Sequence, residues 1–293
     1  VIGVTLVTFC LFHGVGGDPA LHYAGKNADA ATIQSLRHEL GLDQSLPVQY
    51  FSYLKRAALF DWGRSWATSQ PIGEILWSGL GPTLSVTVPA FAISIYVAVL
   101  LALVGAYRRG WWDRAIVFGA LASMSISLLV YIILLQKWLA FDANLFPVYG
   151  WDASSPGKYL LLPWLIYVIA SAGPKTLLFR AALLEEARHD YVRTARAKGL
   201  DEWSVYTRHV LKNAILPIVT LSLSQIPALI TGSLLLEAYF GIPGLGGELA
   251  NAIHGSDFPV IQAMTVIGSL VYIFFNIVND VAWAALDPRM EWR

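Results

Sequence analysis

"FRAALLEEARHDYVRTARAKGLDEWSVYTRHVLKNAILP", residues 179–217, is a charge-dense cassette set between two long apolar runs. Its centre, DYVRTARAKGL at 190–200, follows an acid with Arg193, Arg196 and Lys198. The cassette reads as helix, break, helix, with Gly199 as the break, because glycine tolerates backbone angles that other residues resist. Upstream, Glu185, Glu186, Asp190, Arg193 and Arg196 stand at three- and four-residue spacings that favour a solvated helix with ion pairs. Downstream, Asp201 is placed to cap a short helix bearing Trp203, Val205 and Tyr206, which are costly to leave in water. A knob with an aromatic tip and a basic rim suits a groove on a cytoplasmic partner. A charged loop that only fixes topology fits the same residue types.

The surroundings of the cassette place it at a membrane. The chain is 56% hydrophobic, 13% aromatic and 14% charged, against about 25% charged in a typical soluble domain. Its formal net charge is +0, so nothing global points to nucleic acid as a partner. The lone Cys10 excludes an internal disulfide framework and any cysteine-built metal cluster. A spanning helix needs about 20 largely apolar residues, and Thr83–Tyr107, Ala115–Gln136, Tyr159–Phe179, Ile215–Tyr239 and Val260–Leu286 qualify. Val1–Phe12 is apolar but short, and reads as the outer part of a first helix whose start lies outside this chain. The rival reading, a secretory signal remnant, lacks a basic leading region and a small-residue cleavage site.

Six spans put both termini on one side, and the cations choose the side. Lys and Arg crowd into Arg108–Arg114, Arg180–Lys212 and the tail after Leu286, whereas Lys137–Lys158 holds only those two and Gly241–Phe258 none. The first set is therefore assigned to the cytoplasm. The expected organisation is an outer part of helix 1 over 1–13, an extracytoplasmic segment over 14–81, and a five-helix transmembrane domain over 82–293 with a cytoplasmic loop at 180–214. In the outer segment, DAATIQSLRHELGL and PVQYFSYLKRAALF carry apolar residues at helical spacing and predict two short amphipathic helices.

Several chemistries are missing from the sequence. No stretch reads G-x-x-x-x-G-K-[ST], so the chain has no phosphate cradle of that type. His38-Glu39 opens like H-E-x-x-H, but Leu42 occupies the second histidine position. The other histidines, His13, His22, His189, His209 and His254, do not pair at ligand spacing, so no metal site is expected. No G-x-S-x-G elbow occurs, and a membrane enzyme is disfavoured.

The cassette resembles the signature loop of bacterial ABC importer permeases, most closely in the dipeptide/oligopeptide/nickel family and its first permease subunit. That family's pattern is an acid, then D-Y-[VI]-x-T-A-R-A-K-G-L, about ten residues, and H-x-L-x-N-A-x-x-P. Here it is met by Glu185, Asp190 to Val192, Thr194 to Leu200, and then His209, Leu211, Asn213, Ala214 and Pro217. At the E-A-A positions of the wider superfamily this chain has Arg193-Thr194-Ala195, as the peptide-type branch does. The likeness continues in GGDPA at 16–20, in GLDQSLPVQYFSYL and FDWGRSW within 41–66, in LEAYFGIPGLGGELANAIHGSDFPVIQ at 236–262, and in LDPRM at 286–290.

The resemblance implies an all-α membrane protein of the type I ABC importer permease fold, with six transmembrane helices, in the bacterial inner membrane. It implies half of a translocation pathway, paired with a second homologous permease, seated on two cytoplasmic ATPases and supplied by an extracytoplasmic substrate-binding protein. ATP and Mg would sit on the ATPases, with no cofactor in this chain, and the chain itself would be no enzyme. Coupling would run through 185–217, with Glu185, Asp190, Tyr191, Arg193, Thr194, Ala195, Arg196, Lys198, Gly199 and Trp203 at the contact, and Arg196 and Lys198 meeting acids on the ATPase. Family members carry dipeptides, oligopeptides, nickel complexes, glutathione or small saccharides, and selectivity resides mostly in the binding protein. Gln225, Glu237, Asn276 and Asp280 are candidates for the pathway, because ionisable and polar groups at membrane depth are costly unless used. Hydrogen bonds between helices explain them as well, and Glu237 is also placed to anchor the GIPGLGG loop. Pro163, Pro227 and Gly173-Pro174 are expected to kink or loosen their helices. A carrier driven by ion gradients is the competing class, but it would ordinarily show repeated halves or paired broken helices, and the sequence shows neither.

Overall fold

The computed structural model describes residues 2–15, 20, 29–39, 41–152, 155–226, 229 and 234–286. Among these residues the regular structure is helical, and the one β feature is an isolated bridge between Arg64 and Pro71. The chain divides into two compact units: Val1–Thr83 with Ile230–Ala238 and Pro243–Ile273, and Leu84–Leu229 with Tyr239–Ile242 and Phe274–Arg293. The motif residues at 16–19 and 287–290, and Pro227, lie outside the described residues.

In the first unit, α1 (Ile2–Val15) lies against α3 (Leu46–Ala58), and α2 (Ala30–Glu39) precedes α3. The two short helices α2 and α3 are those the apolar spacing predicts. Polar groups stitch α1 to α3: the hydroxyls of Thr5 and Tyr50 lie 3.1 Å apart, those of Thr8 and Tyr53 3.3 Å, and the Phe9 ring stands 5.3 Å from that of Tyr50. Further on, Ile72 and Ile75 at the start of α4 (Ile72–Tyr107) share a core with Ala252 of α12 (Leu245–His254) and with Val260 and Ala263 of α13 (Phe258–Leu286). Gly79 permits the approach, since a Cβ there would meet the Leu245 backbone at 3.1 Å.

The second unit holds the remainder of α4, then α5 (Trp111–Met124), α6 (Leu128–Leu135), α7 (Pro156–Glu186), α8 (Asp190–Ala197), α9 (Glu202–Ser204) and α10 (Leu211–Leu223). A short helix, α11 (Leu234–Phe240), is divided between the units. Ala98, Ala102 and Ala106 recur every four residues on α4, and this small-residue stripe packs with Phe179 and Leu183 of α7 in the main core. Gly173 brings α7 close to α5, where a Cβ would collide with the Ser123 hydroxyl and the Ala120 carbonyl.

Helices α4, α7 and α13 are each long and apolar enough to cross a bilayer. The expected single span over Ala115–Gln136 is instead two helices, Trp111–Met124 and Leu128–Asp142, bent by 93°. Serines cause the break: Ser127 is extended and caps the next helix at the Val130 N–H, while the Tyr131 hydroxyl donates to the Ser123 carbonyl at 3.2 Å. The expected span Ile215–Tyr239 falls on α10 and α11, with part of the stretch between them outside the described residues. Pro163 and Pro174, expected to kink or loosen their helix, both lie inside α7, which is helical through each of them.

Candidate functional site

The cassette folds as helix, turn, helix on the end of the second unit's core. Asp190 opens α8 and Arg196 closes it, a distribution that suits the helix dipole. The Arg193 guanidinium reaches Asp190 at 3.3 Å, and the Thr194 hydroxyl donates to the Asp190 carbonyl at 3.1 Å. Gly199 then takes φ +81° and donates its N–H to the Arg196 carbonyl at 3.0 Å, ending the helix in the left-handed region. Asp201 starts the next helix by accepting the Ser204 N–H at 3.0 Å. That bond holds its carboxyl below the usual range.

Two further contacts fasten the cassette, one across the turn and one at its start. Arg196 spans the break with a two-pronged bond to Glu202, Nε at 2.8 Å and Nη2 at 3.2 Å. The Tyr191 hydroxyl donates to Glu186 at 2.6 Å, and burial together with that carboxylate pushes the phenol up to about 12. Beneath the turn, Val192, Ala195, Val205, Tyr206 and Val210 join the core containing Phe179 and Leu183. Burying such side chains is worth about 1.5–3 kcal/mol for each large one. The ladder widens to a π-helix over Val205–Val210, which turns Val205, Tyr206 and Val210 inward together.

The expected aromatic knob is therefore smaller than its sequence implies. Val205 and Tyr206 are buried, and Trp203 alone stays at the surface, 45% exposed and edge-on to Tyr107 at 5.2 Å. Arg196 is engaged by Glu202 within the chain, and Ala195 faces the core. Glu185, Tyr191, Arg193, Thr194, Lys198 and Gly199 are exposed.

A family model described as "Binding-protein-dependent transport system inner membrane component" matches residues 94–292, and its N-terminal companion matches residues 1–87. The chain belongs to this family. A Brucella abortus (strain 2308) protein named for a peptide transport system permease is 34% identical over 295 residues, covering 99% of this chain and 94% of that protein. The glutathione transport system permease of Escherichia coli (strain K12) is 33% identical over 291 residues, with the same coverage. This chain is thus a permease subunit of an ABC importer and an inner-membrane component, whose partners include a substrate-binding protein and ATPase subunits.

The permease's polar candidates within the apolar stretches separate by environment. Glu237 of α11 is completely buried, and one of its oxygens accepts the N–H groups of Gly246 at 2.7 Å and Gly247 at 3.2 Å and the Thr83 hydroxyl at 3.1 Å. It holds the N-terminus of α12, the anchoring role its position predicted. The Gln225 amide donates to the Leu221 carbonyl one turn back at 3.2 Å. Asn276 is half-buried, Asp280 is exposed, and the side-chain oxygen of Asn279 is buried without a partner among the described residues.

Two cations of α7 were not singled out as site residues by sequence reasoning. Lys175 on α7 is 2% exposed, donates to the Ser94 hydroxyl at 2.9 Å and lies 5.0 Å and 5.5 Å from the ring centres of Phe91 and Tyr167. Arg180 makes a two-pronged bond to Asp113, with both distances 2.6 Å. The signal for Lys175 was present, since a charge inside an apolar run is by default a suspect. For Arg180 the partner sits on another helix, and no spacing in the sequence reveals it.

Proposed function

We propose that this permease imports short peptides, forming half of a pathway with a second homologous permease above two cytoplasmic ATPases. An extracytoplasmic binding protein delivers the solute, and ATP and Mg act on the ATPases. Six spans make up the permease, with α1 in the first and α10 and α11 in the fifth, and the segments rich in Lys and Arg lie in the cytoplasm. The names of the relatives support peptide cargo, glutathione being itself a short peptide. The cation distribution supports the orientation.

The observation that carries the coupling role is the cassette's construction. A left-handed glycine, an aspartate cap and an Arg196–Glu202 clamp fix two short helices against the core of α4 and α7, while Arg193, Lys198 and Trp203 stay outside. A displacement applied at Trp203 passes through Tyr107 and Tyr206 into α4 instead of being absorbed by a slack loop. The test is uptake of labelled peptide by proteoliposomes holding the complete transporter. Arg193→Glu combined with Lys198→Glu is expected to cut uptake about tenfold or more with the fold retained. Native uptake by that variant would remove the cassette from the ATPase contact.

A further inference from the structure

The coupling reading leaves unused a cavity of about 410 Å3 that lies wholly within the first compact unit. That size falls within the range of pockets that hold small molecules. Its walls come from α1 at Phe9 and His13 and from three further stretches: the end of α2 with the turn after it and α3, the loop Asp61–Trp66, and the start of α13 at Pro259 to Ala263. These are the stretches whose sequences, GLDQSLPVQYFSYL, FDWGRSW and GSDFPVIQ, carried the outer part of the family likeness. The fold brings all three to one place.

The loop is fastened there. Asp257 accepts the Ser65 hydroxyl at 2.5 Å, the Trp66 N–H at 3.1 Å and the Ala67 N–H at 3.3 Å, which ties the tryptophan-bearing loop to the head of α13. The Trp66 ring rests 6.1 Å from Phe258, and Trp62 packs on the core formed by Ile72, Val260 and Ala263. Two indole walls are thus held in position before any ligand arrives.

The polar lining is of mixed sign and only partly committed: Arg64 donates to the Ser69 carbonyl at 2.9 Å, His38 pairs with Asp43 at 2.7 Å, and Gln49 donates to the Leu42 and Gln44 carbonyls. The Asp61 N–H donates to the Arg56 carbonyl at 3.0 Å, so both residues belong to one turn at the end of α3, and both line the cavity. Among the described residues, the side chains of Arg56, Asp61 and Gln262 have no hydrogen-bond or ion-pair partner. By contrast, both His13 ring nitrogens are engaged, by the Phe9 carbonyl at 3.0 Å and Gln49 at 2.8 Å. Among the uncommitted groups of the lining, the Arg56 cation, the Asp61 anion and the Gln262 amide stand with two indoles around a small volume and match a molecule bearing a carboxylate, an ammonium, a peptide amide and an apolar side chain. A neutral saccharide would leave both charges unanswered.

We infer that this cavity is a receiving site for a short zwitterionic peptide, with its carboxylate on Arg56, its ammonium at Asp61, its amide on Gln262 and a side chain between Trp62 and Trp66. The inference rests on the peptide reading proposed above and adds a stop for the peptide on this chain, apart from the binding protein.

The test titrates the assembled transporter, in nanodiscs and without binding protein, with the dipeptide Ala-Phe and with N-acetyl-Ala-Phe-amide, using calorimetry. Ala-Phe is expected to bind, and the capped analogue to bind about tenfold more weakly or worse. Arg56→Gln and Asp61→Asn should each weaken Ala-Phe binding about tenfold, while Arg56→Lys retains most of it. Equal binding of the capped analogue, native affinity in both neutralised variants, or no binding of Ala-Phe to the unaltered complex overturns the inference. Uptake with binding protein present separates the two readings. If Ala-Phe is imported and the Arg56→Gln, Asp61→Asn double variant imports it normally at subsaturating peptide, only the cavity reading fails. If the unaltered transporter imports another solute and no peptide, the peptide reading itself fails.

Discussion

Gly199 takes a left-handed backbone with φ +81°, and a Cβ added there meets nothing within 4 Å. The cost of a side chain is therefore backbone strain alone, about 1 kcal/mol for alanine. Gly199→Ala should lower thermal stability by that amount, and Gly199→Asn by less, since asparagine tolerates this region. Thermal unfolding of the purified permease in detergent checks the order. The neighbouring Arg196–Glu202 clamp is partly exposed, so its coupling energy in a double-mutant cycle should be about 0.2–1 kcal/mol and shrink with salt. The Asp201 cap has a definite pH sign. Its carboxyl titrates lower in the folded chain than in the unfolded one, so its contribution is complete above the unfolded value and lost as pH falls through the folded one. At neutral pH the cap is fully in place.

Helices depend on charges buried between them. Glu237 ties α11 to the N-terminus of α12 and to Thr83 of α4. Removing it strands two backbone N–H groups, and Glu237→Ala is expected to cost about 3 kcal/mol or more, read as a clear fall in the thermal midpoint. Lys175 should behave in the opposite sense. Its ammonium is buried with a hydroxyl and two rings but with no acid among its partners, and burying such a charge is unfavourable to stability. Lys175→Met should leave the thermal midpoint equal or higher; a fall of several degrees would mean that the cation holds α7 to α4.

The same scale explains what could be read from sequence. Helix, break at Gly199 and cap at Asp201 were legible because each is a local rule about one residue and its near neighbours. The inward turn of Val205 and Tyr206 was not, because the direction a side chain faces depends on α4 and α7, far away in sequence. The break in the second apolar stretch was missed for a different reason. Ala115–Gln136 is apolar enough on average to pass as a span despite SMSIS at 123–127, and only the hydroxyls of Ser127 and Tyr131 reveal where the backbone bonds are rerouted. The convergence of Asp61, Trp62 and Gln262 on one cavity is likewise a property of the fold, although each motif was visible separately.

For the whole molecule, the proposed coupling is that a rigid cassette passes force from ATPase to spans. Its geometry has no slack at the turn: one glycine in the left-handed region, one clamp across it, and a shared core below. The most direct measurement is ATP hydrolysis by the reconstituted transporter, with and without peptide-loaded binding protein, for Gly199→Pro beside the unaltered chain. Proline is confined to φ near −65°, so this substitution must break the turn while leaving the rest of the sequence intact. The predicted result is a complex that still assembles, as judged by gel filtration, but whose hydrolysis no longer rises when loaded binding protein is added. Native stimulation and native peptide uptake by the Gly199→Pro complex would contradict the account.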